Sequence, residues 1–403
     1  MSAPASGSAP VVTAGGSRLV LLAAGMFAIG TDAFVIAPLL ARIARDLDVG
    51  IAAAAQLITA YALAYALCSP FIATLTAHWR RERAVVSGLA IFVAANVAAA
   101  LAPGFAGVLA ARACAGVGAA LFAPAASASA ASLAAAGQRG RALSIMMIGL
   151  SSATAFGSPL GTLVGAVLSW RAVFLLVAIL AAAVAVAILA TIRTGVEMDG
   201  ASVGQRLRPL REPGVIVTLL VTFLVLTGLY ISYTYISVIF DRATGNNGAR
   251  MALLQSIWGF SGVVGAMLAG RLTDRFGSGA VVRAMLLLLL ADFALMPWTG
   301  ASAGTAACAM LVWGVCGWGF VVPQQHRLLD SAPRSASILL ALHTMAVYGG
   351  TSASGVIGAL ALQWMAPHRL PFVGAGLIMS GLVVDECARR LRVAGSARRM
   401  RGQ

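Results

Sequence analysis

The fold class this sequence predicts is an all-α polytopic membrane protein, with twelve transmembrane helices in two pseudo-symmetric six-helix bundles. Three observations predict it. The 403 residues are 60% hydrophobic and only 10% charged, with a mean hydropathy of +0.92, and a soluble domain of that size could not cover so much apolar surface. The apolar residues fall in runs of roughly 20 or more, the length that crosses a hydrocarbon core as a helix. Such runs are far longer than the ~10-residue alternating segments of an outer-membrane barrel.

Gly, Pro and Arg divide the first half into spans 18–40, 51–76, 84–101, 105–131, 141–168 and 171–192. The second half divides into 213–240, 250–271, 280–298, 302–325, 335–364 and 370–386. Residues 1–17 are rich in Ala, Ser and Gly without a charged side chain and read as a disordered tail. The break at 193–212 holds seven charged residues and Pro209, with Pro213 at its end, and reads as a cytoplasmic linker between bundles 18–192 and 213–388. Residues 389–403 read as a basic cytoplasmic tail.

Charge sets orientation and excludes some functions. The net charge is +15 and all 28 basic residues are Arg, scattered through short loops rather than gathered on one element as nucleic-acid binding requires. With the N-terminus inside, cytoplasmic segments carry 21 Arg and outside loops 6, while Arg112 lies within a span. Both termini are therefore expected in the cytoplasm. Among Cys68, Cys114, Cys308, Cys316 and Cys387 no ligand-like spacing with His or acids occurs, so neither a disulfide framework, a metal site nor a cofactor is expected.

The halves repeat weakly at an offset of roughly 197 residues. Leu75-Thr76-Ala77-His78 falls on Leu272-Thr273-Asp274-Arg275, Gly30 on Gly228, and Pro124 near Pro323. Transporters built from parallel repeats hold their substrate between the halves, near the midplane.

Buried charge marks candidate function, since a charge at mid-membrane costs at least ~2.5–3.5 kcal/mol. At ~1.5 Å per residue, Asp32 lies about 12 Å and Arg112 about 10 Å below the same outer boundary, so the two can pair across spans 1 and 4. A carboxylate beside Arg stays ionised until the partner leaves, which suits proton coupling; an ion pair that only fastens two helices is the rival reading. Asp292, on span 9, is read as structural. Tyr230 falls on the repeat position of Asp32, with Tyr233 about one turn beyond. With Gln324 and His343 these tyrosines form a candidate cavity for a moderately polar organic ligand; Gln325 is adjacent. Gly157, Gly161 and Gly165 share a helix face and permit close approach, and Pro159 among them bends the helix.

These motifs resemble a known family. Gly270-Arg271-Leu272-Thr273-Asp274-Arg275-Phe276-Gly277 is similar to the loop signature of the major facilitator superfamily. Gly157-Ser158-Pro159-Leu160-Gly161, continuing to Gly165, resembles the fifth-helix signature of its drug:proton antiporter branch, and the surroundings of Asp32 and Arg112 fit that branch. The whole chain resembles the arabinose-efflux-permease-like and sugar- or purine-efflux group. The resemblance implies a monomeric secondary transporter of the bacterial inner membrane, exporting a small organic solute (a drug, sugar, nucleoside or amino-acid derivative) against protons by rocking of its halves. It also implies that Asp274, with Arg275 nearby, latches the halves on the cytoplasmic side against the start of span 5 at Arg141. The first copy of that acid is missing, since Ala77 stands in its place. A proton-coupled uptake symporter and a transporter-like sensor are the alternatives. A membrane enzyme would need a convergent constellation that the sequence does not show.

Reporter fusions at residue 200 and at the C-terminus should both report a cytoplasmic location; an external C-terminus would contradict the twelve-span topology.

Overall fold

The computed structural model describes residues 14–76, 79–134, 138–191, 204, 208–332 and 336–401. Twelve long helices run in order: α1 (Ala14–Asp46), α2 (Ile51–Leu75), α3 (Arg81–Leu101), α4 (Phe105–Leu133), α5 (Arg139–Val167), α6 (Trp170–Thr191), α7 (Pro213–Thr234), α8 (Gly248–Phe276), α9 (Ser278–Thr299), α10 (Ala303–Ser331), α11 (Ala336–Ala361) and α12 (Leu370–Arg401). Eleven of them qualify as membrane spans on length and apolarity among the described residues. The twelfth, α11, is 26 residues long and contains no Asp, Glu, Lys or Arg. The all-α expectation holds. Expectations placed on residues 1–13, on Ala77 and on most of the 193–212 linker lie outside the described residues.

The boundaries depart from the sequence expectation where tertiary contacts extend or interrupt a helix. α1 continues past Leu40 because Leu40, Ile43 and Ala44 remain buried. Arg42 meanwhile donates from Nη1 to the Ala166 carbonyl at 3.1 Å, and Asp46 pairs with Arg171. α12 carries on through Arg401, so the helix continues from span 12 into the basic residues 389–401. Span 7 was expected unbroken to 240, yet α7 stops at Thr234 and a short turn follows at Ile236–Ile239. Tyr235, at the break, is pinned by a 2.8 Å bond from its hydroxyl to the Gly355 carbonyl. No Gly or Pro marks that break.

The α5 helix contains a π turn, Ala153–Gly157. Pro159 explains it: proline has no N–H for the carbonyl of Ala155 and its ring crowds that carbonyl, so the preceding turn widens. The glycine face of α5 packs on α1. A Cβ at Gly157 would lie 2.0 Å from Thr31 Oγ1, at Gly161 2.5 Å from Val35, and at Gly165 2.7 Å from Leu39. Thr31, Val35 and Leu39 recur every four residues, so two matching faces mesh.

Among the first six helices, α3 packs on α4 and α6, and α1 on α5 and α6; among the last six, α8 packs on α10, and α7 on α11 and α12. Contact between the two sets runs mainly through α2 with α11 and α5 with α8. The hydrogen bonds across that seam, among the described residues, lie at the end where α1 finishes: Gln56 to Gly355, Thr59 to Ser352, Ser158 and Thr162 with Gln255, and Tyr233 to Phe34. This distal end is closed. The cavity reaches toward the opposite end, where Met147 in its wall is half exposed.

Replacing Gly161 by Leu should lower thermal stability by ~1–3 kcal/mol through overpacking against Val35. Gly270→Ala, at a site with no atom within 4 Å of the added Cβ, should leave melting unchanged or slightly raised. Equal melting temperatures for the two variants in detergent would contradict the meshed α1–α5 face.

Candidate functional site

The two intramembrane charges expected to pair do so. Arg112 Nη1 donates to Asp32 Oδ2 at 2.6 Å, with side-chain exposures of 1% and 0%. The guanidinium lies over the ring of Tyr61 at 4.5 Å and near that of Phe174 at 5.6 Å. Only one hydrogen bond joins the ions. Asp32 Oδ1 and Arg112 Nε have no hydrogen-bond partner among the described residues. A buried pair satisfied on one side is stable only while both charges persist, because removing either leaves the other without compensation.

Beside the pair lies a cavity of about 220 Å³ between the two sets of helices. Arg112 and Tyr61 form part of one wall; Tyr230, Tyr233, Trp258, Trp313 and Trp318 form the aromatic part of the other. The rings pack on one another: Tyr233 and Trp258 are 4.8 Å apart, and Phe34 stands edge-on to Tyr233 at 5.6 Å. Tyr65 of α2 stacks on Tyr348 of α11 at 3.8 Å, closing the cavity along the α2–α11 seam. Arg112 is the charged side chain of the wall, and Asp32 stands behind it.

The distal end is closed by a polar chain that begins with a proline. Pro38 has no N–H, so the Phe34 carbonyl one turn earlier lacks its helical donor. Two side chains supply donors instead: Tyr233 Oη at 2.8 Å from α7 and Ser158 Oγ at 3.1 Å from α5. Gln255 of α8 donates to Ser158 Oγ at 2.8 Å, and its Oε1 accepts from Thr162 Oγ1 at 2.6 Å. Four helices, α1, α5, α7 and α8, thus meet at one freed carbonyl. At the π turn, Gly259 of α8 lets the backbone approach; a Cβ there would lie 2.5 Å from the Thr154 oxygen.

Of the expected cavity residues, Tyr230, Tyr233 and His343 line it. Gln324 does not. It is fully buried and donates to the Thr218 carbonyl and Thr222 Oγ1 at 3.2 and 3.1 Å. Its Oε1 accepts from Arg327, which pairs with the buried Asp385 at 2.6 Å. Its neighbour Gln325 faces the cavity; the dipeptide gave no way to choose, since helical positions one apart differ by a rotation only the full packing fixes. Asp292 is buried outside the cavity wall, its Oδ2 without a hydrogen-bond partner among the described residues. Asp274, Arg275 and Arg141 are exposed at the open end, and Arg275 lies over Phe276 at 5.1 Å. Gln255, Ser158, Tyr61 and the Trp258–Trp313–Trp318 cluster escaped sequence reasoning. The lone Gln in span 8 was the available signal.

Comparison with known proteins places this geometry in context. The chain matches the Major Facilitator Superfamily over residues 22–355.

It belongs to that superfamily.

As a member of the major facilitator superfamily it is a multi-pass membrane transporter, and the family's members are transporters rather than enzymes. It is 32% identical over 382 residues to the chloramphenicol efflux pump Rv0191 of Mycobacterium tuberculosis, covering 92% of each chain. It is 30% identical over 376 residues to the inner membrane transport protein YdhP of Escherichia coli, covering 92% of this chain and 96% of that one. In fold it matches a bacterial homologue of the human lysosomal transporter Spinster, solved in an inward-facing and occupied conformation, with a TM-score of 0.74 at 17% identity over 95% and 98% of the chains.

Removing both donors to the Phe34 carbonyl, in Tyr233→Phe with Ser158→Ala, should loosen the distal closure of this transporter. A cysteine placed in the cavity wall should then react faster with a membrane-impermeant thiol reagent added at the distal face, by roughly thirtyfold for ~1 kcal/mol at each of the two lost bonds. Unchanged reactivity would mean the closure rests on apolar packing alone.

Proposed function

We propose that this transporter is a proton-coupled antiporter that exports a small organic solute by alternating access, with Asp32 as the proton-binding group and Arg112 as its switch partner. The observation that carries the reading is the single-bonded, fully buried Asp32–Arg112 pair at the edge of the central cavity. The similarity to a named efflux pump supports the direction.

The cycle follows from electrostatics. With Asp32 ionised, the pair is neutral overall and the carboxylate compensates the Arg112 charge at the cavity wall. The wall then offers an apolar aromatic surface to a solute. When a proton binds Asp32, the guanidinium loses its counter-charge beside the cavity and must be hydrated. Water drawn to it competes with the solute for the same space. Proton and solute thus exclude one another although they never share an atom, which is the condition for exchange. Bundles 18–192 and 213–388 rock about the site, and the closed distal end corresponds, with both termini in the cytoplasm of a bacterial inner membrane, to an inward-open state. In the outward-open state Asp274 approaches the N-terminus of α5 at Arg139 and Arg141, where positive charge and exposed N–H groups favour a carboxylate. The protein acts as a monomer.

Asp32→Asn should insert normally and lose pH-gradient-driven export; full gradient-driven export by this variant would refute the assignment. Asp274→Asn should raise the inward-open population and slow transport, read as decreased accessibility of a cavity cysteine from outside. Unchanged accessibility and transport would make Asp274 a solvated loop charge.

A further inference from the structure

Three side chains of the cavity wall bury polar atoms that bond to nothing among the described residues: Tyr61 Oη, Trp258 Nε1 and His343 Nε2. Their residues are only 3%, 5% and 2% exposed. Buried polar atoms are nearly always paired, and each one left alone is destabilising unless a partner arrives. That three should occur in the wall of one cavity, on α2, α8 and α11, is a property of the cavity rather than of the packing around it. Tyr61 and Trp258 belong to opposite sides of the seam.

We infer that the solute held in this cavity is an uncharged, flat aromatic compound of one or two rings whose polar groups accept hydrogen bonds, with Tyr61 and Trp258 as donors from the two halves and His343 as a third contact. The inference rests on the reading of this cavity as the transport site. Size, charge and polarity each narrow the class. At about 220 Å³ the space falls below the ~300–1,000 Å³ of sites for drug-sized ligands. The aromatic wall suits a planar body that stacks at offset or edge-on angles. A cation is disfavoured, because the charge bordering the cavity is the Arg112 guanidinium and no carboxylate lines the described wall. A sugar is disfavoured, because a hydroxyl on nearly every carbon would bury more donors and acceptors than the wall can pair. Indole N–H donates only, and the tyrosine hydroxyl is free to donate, so acceptors such as carbonyl, lactone or nitro oxygens complete the set. Because the donors sit on both halves, such a solute also ties the halves together across the seam.

Three bicyclic probes of nearly equal shape and one sugar test this: coumarin with acceptors, naphthalene without, N-methylquinolinium as cation, and methyl glucoside as the sugar. Binding is measured by equilibrium dialysis against the protein in nanodiscs, with empty nanodiscs as blank. Coumarin should bind roughly tenfold more tightly than naphthalene after blank correction, and above both other probes. Tyr61→Phe and Trp258→Phe should each reduce the coumarin-to-naphthalene ratio several-fold, because any loss of stacking weakens both probes alike and leaves the ratio to report the lost donor. Tighter binding of N-methylquinolinium or methyl glucoside, absence of coumarin binding, or a ratio unchanged in both variants would overturn the inference. No gradient is applied, so these outcomes are independent of whether Asp32 couples transport to protons.

Discussion

The Asp32–Arg112 ion pair is the constraint around which the rest of this structure is arranged. Two unit charges with exposures of 0% and 1% are tolerable in a bilayer only as a pair, and they sit within the apolar stretches of α1 and α4. Their position dictates what surrounds them. Tyr61 supplies a ring face to the guanidinium, a contact of ~0.5–2 kcal/mol depending on desolvation, and Tyr61 in turn stands at the α2–α11 seam beside the Tyr65–Tyr348 stack. A change of charge at Asp32 is therefore felt within two residues of the opposing bundle. In the proposed cycle this short path links protonation to movement, with no long chain of intermediaries.

A second constraint sits one turn further along α1. The carbonyl freed by Pro38 is claimed by donors from two other helices, so the same helix that holds the proton-binding acid also holds the distal closure. Pro159 has a similar effect on α5, where its missing N–H coincides with a π turn whose backbone meets Gly259 of α8. At Pro38 the freed acceptor is satisfied by other helices; at Pro159 the widened turn is where α8 packs close. Among the described residues, the hydrogen bonds between the two sets of helices lie at the distal end, and Asp274 at the open end is exposed. Such an asymmetry is what distinguishes one face of an alternating-access cycle from the other.

Much of this was legible in the sequence. Helix number and order followed from apolar length, because the bilayer imposes one length scale on every span. The Asp32–Arg112 contact followed from matched depth, because rise per residue is fixed. Rotation about the helix axis was not legible. Gln324 and Gln325 differ by one position, yet one bonds inside the bundle through Thr222 and Arg327 and the other faces the cavity. The break at Tyr235 was equally hidden, since it arises from a hydroxyl reaching Gly355 on another helix and not from any local breaker. Gln255 was visible as a lone polar residue in an apolar span, but its partners Ser158 and Thr162 lie 97 and 93 residues away. The Tyr61, Trp258 and His343 donors carry no sequence signal beyond their residue types.

Proton movement on solute binding tests the central claim most directly. Protein in a weakly buffered, detergent-solubilised state with no membrane gradient is mixed with a transported solute across a pH series, and the proton balance is followed with an indicator dye. The account predicts release of up to one proton per bound solute in the wild type, in the pH range where Asp32 is partly protonated, and none in Asp32→Asn. Proton uptake on binding, or equal release by wild type and Asp32→Asn, would contradict it.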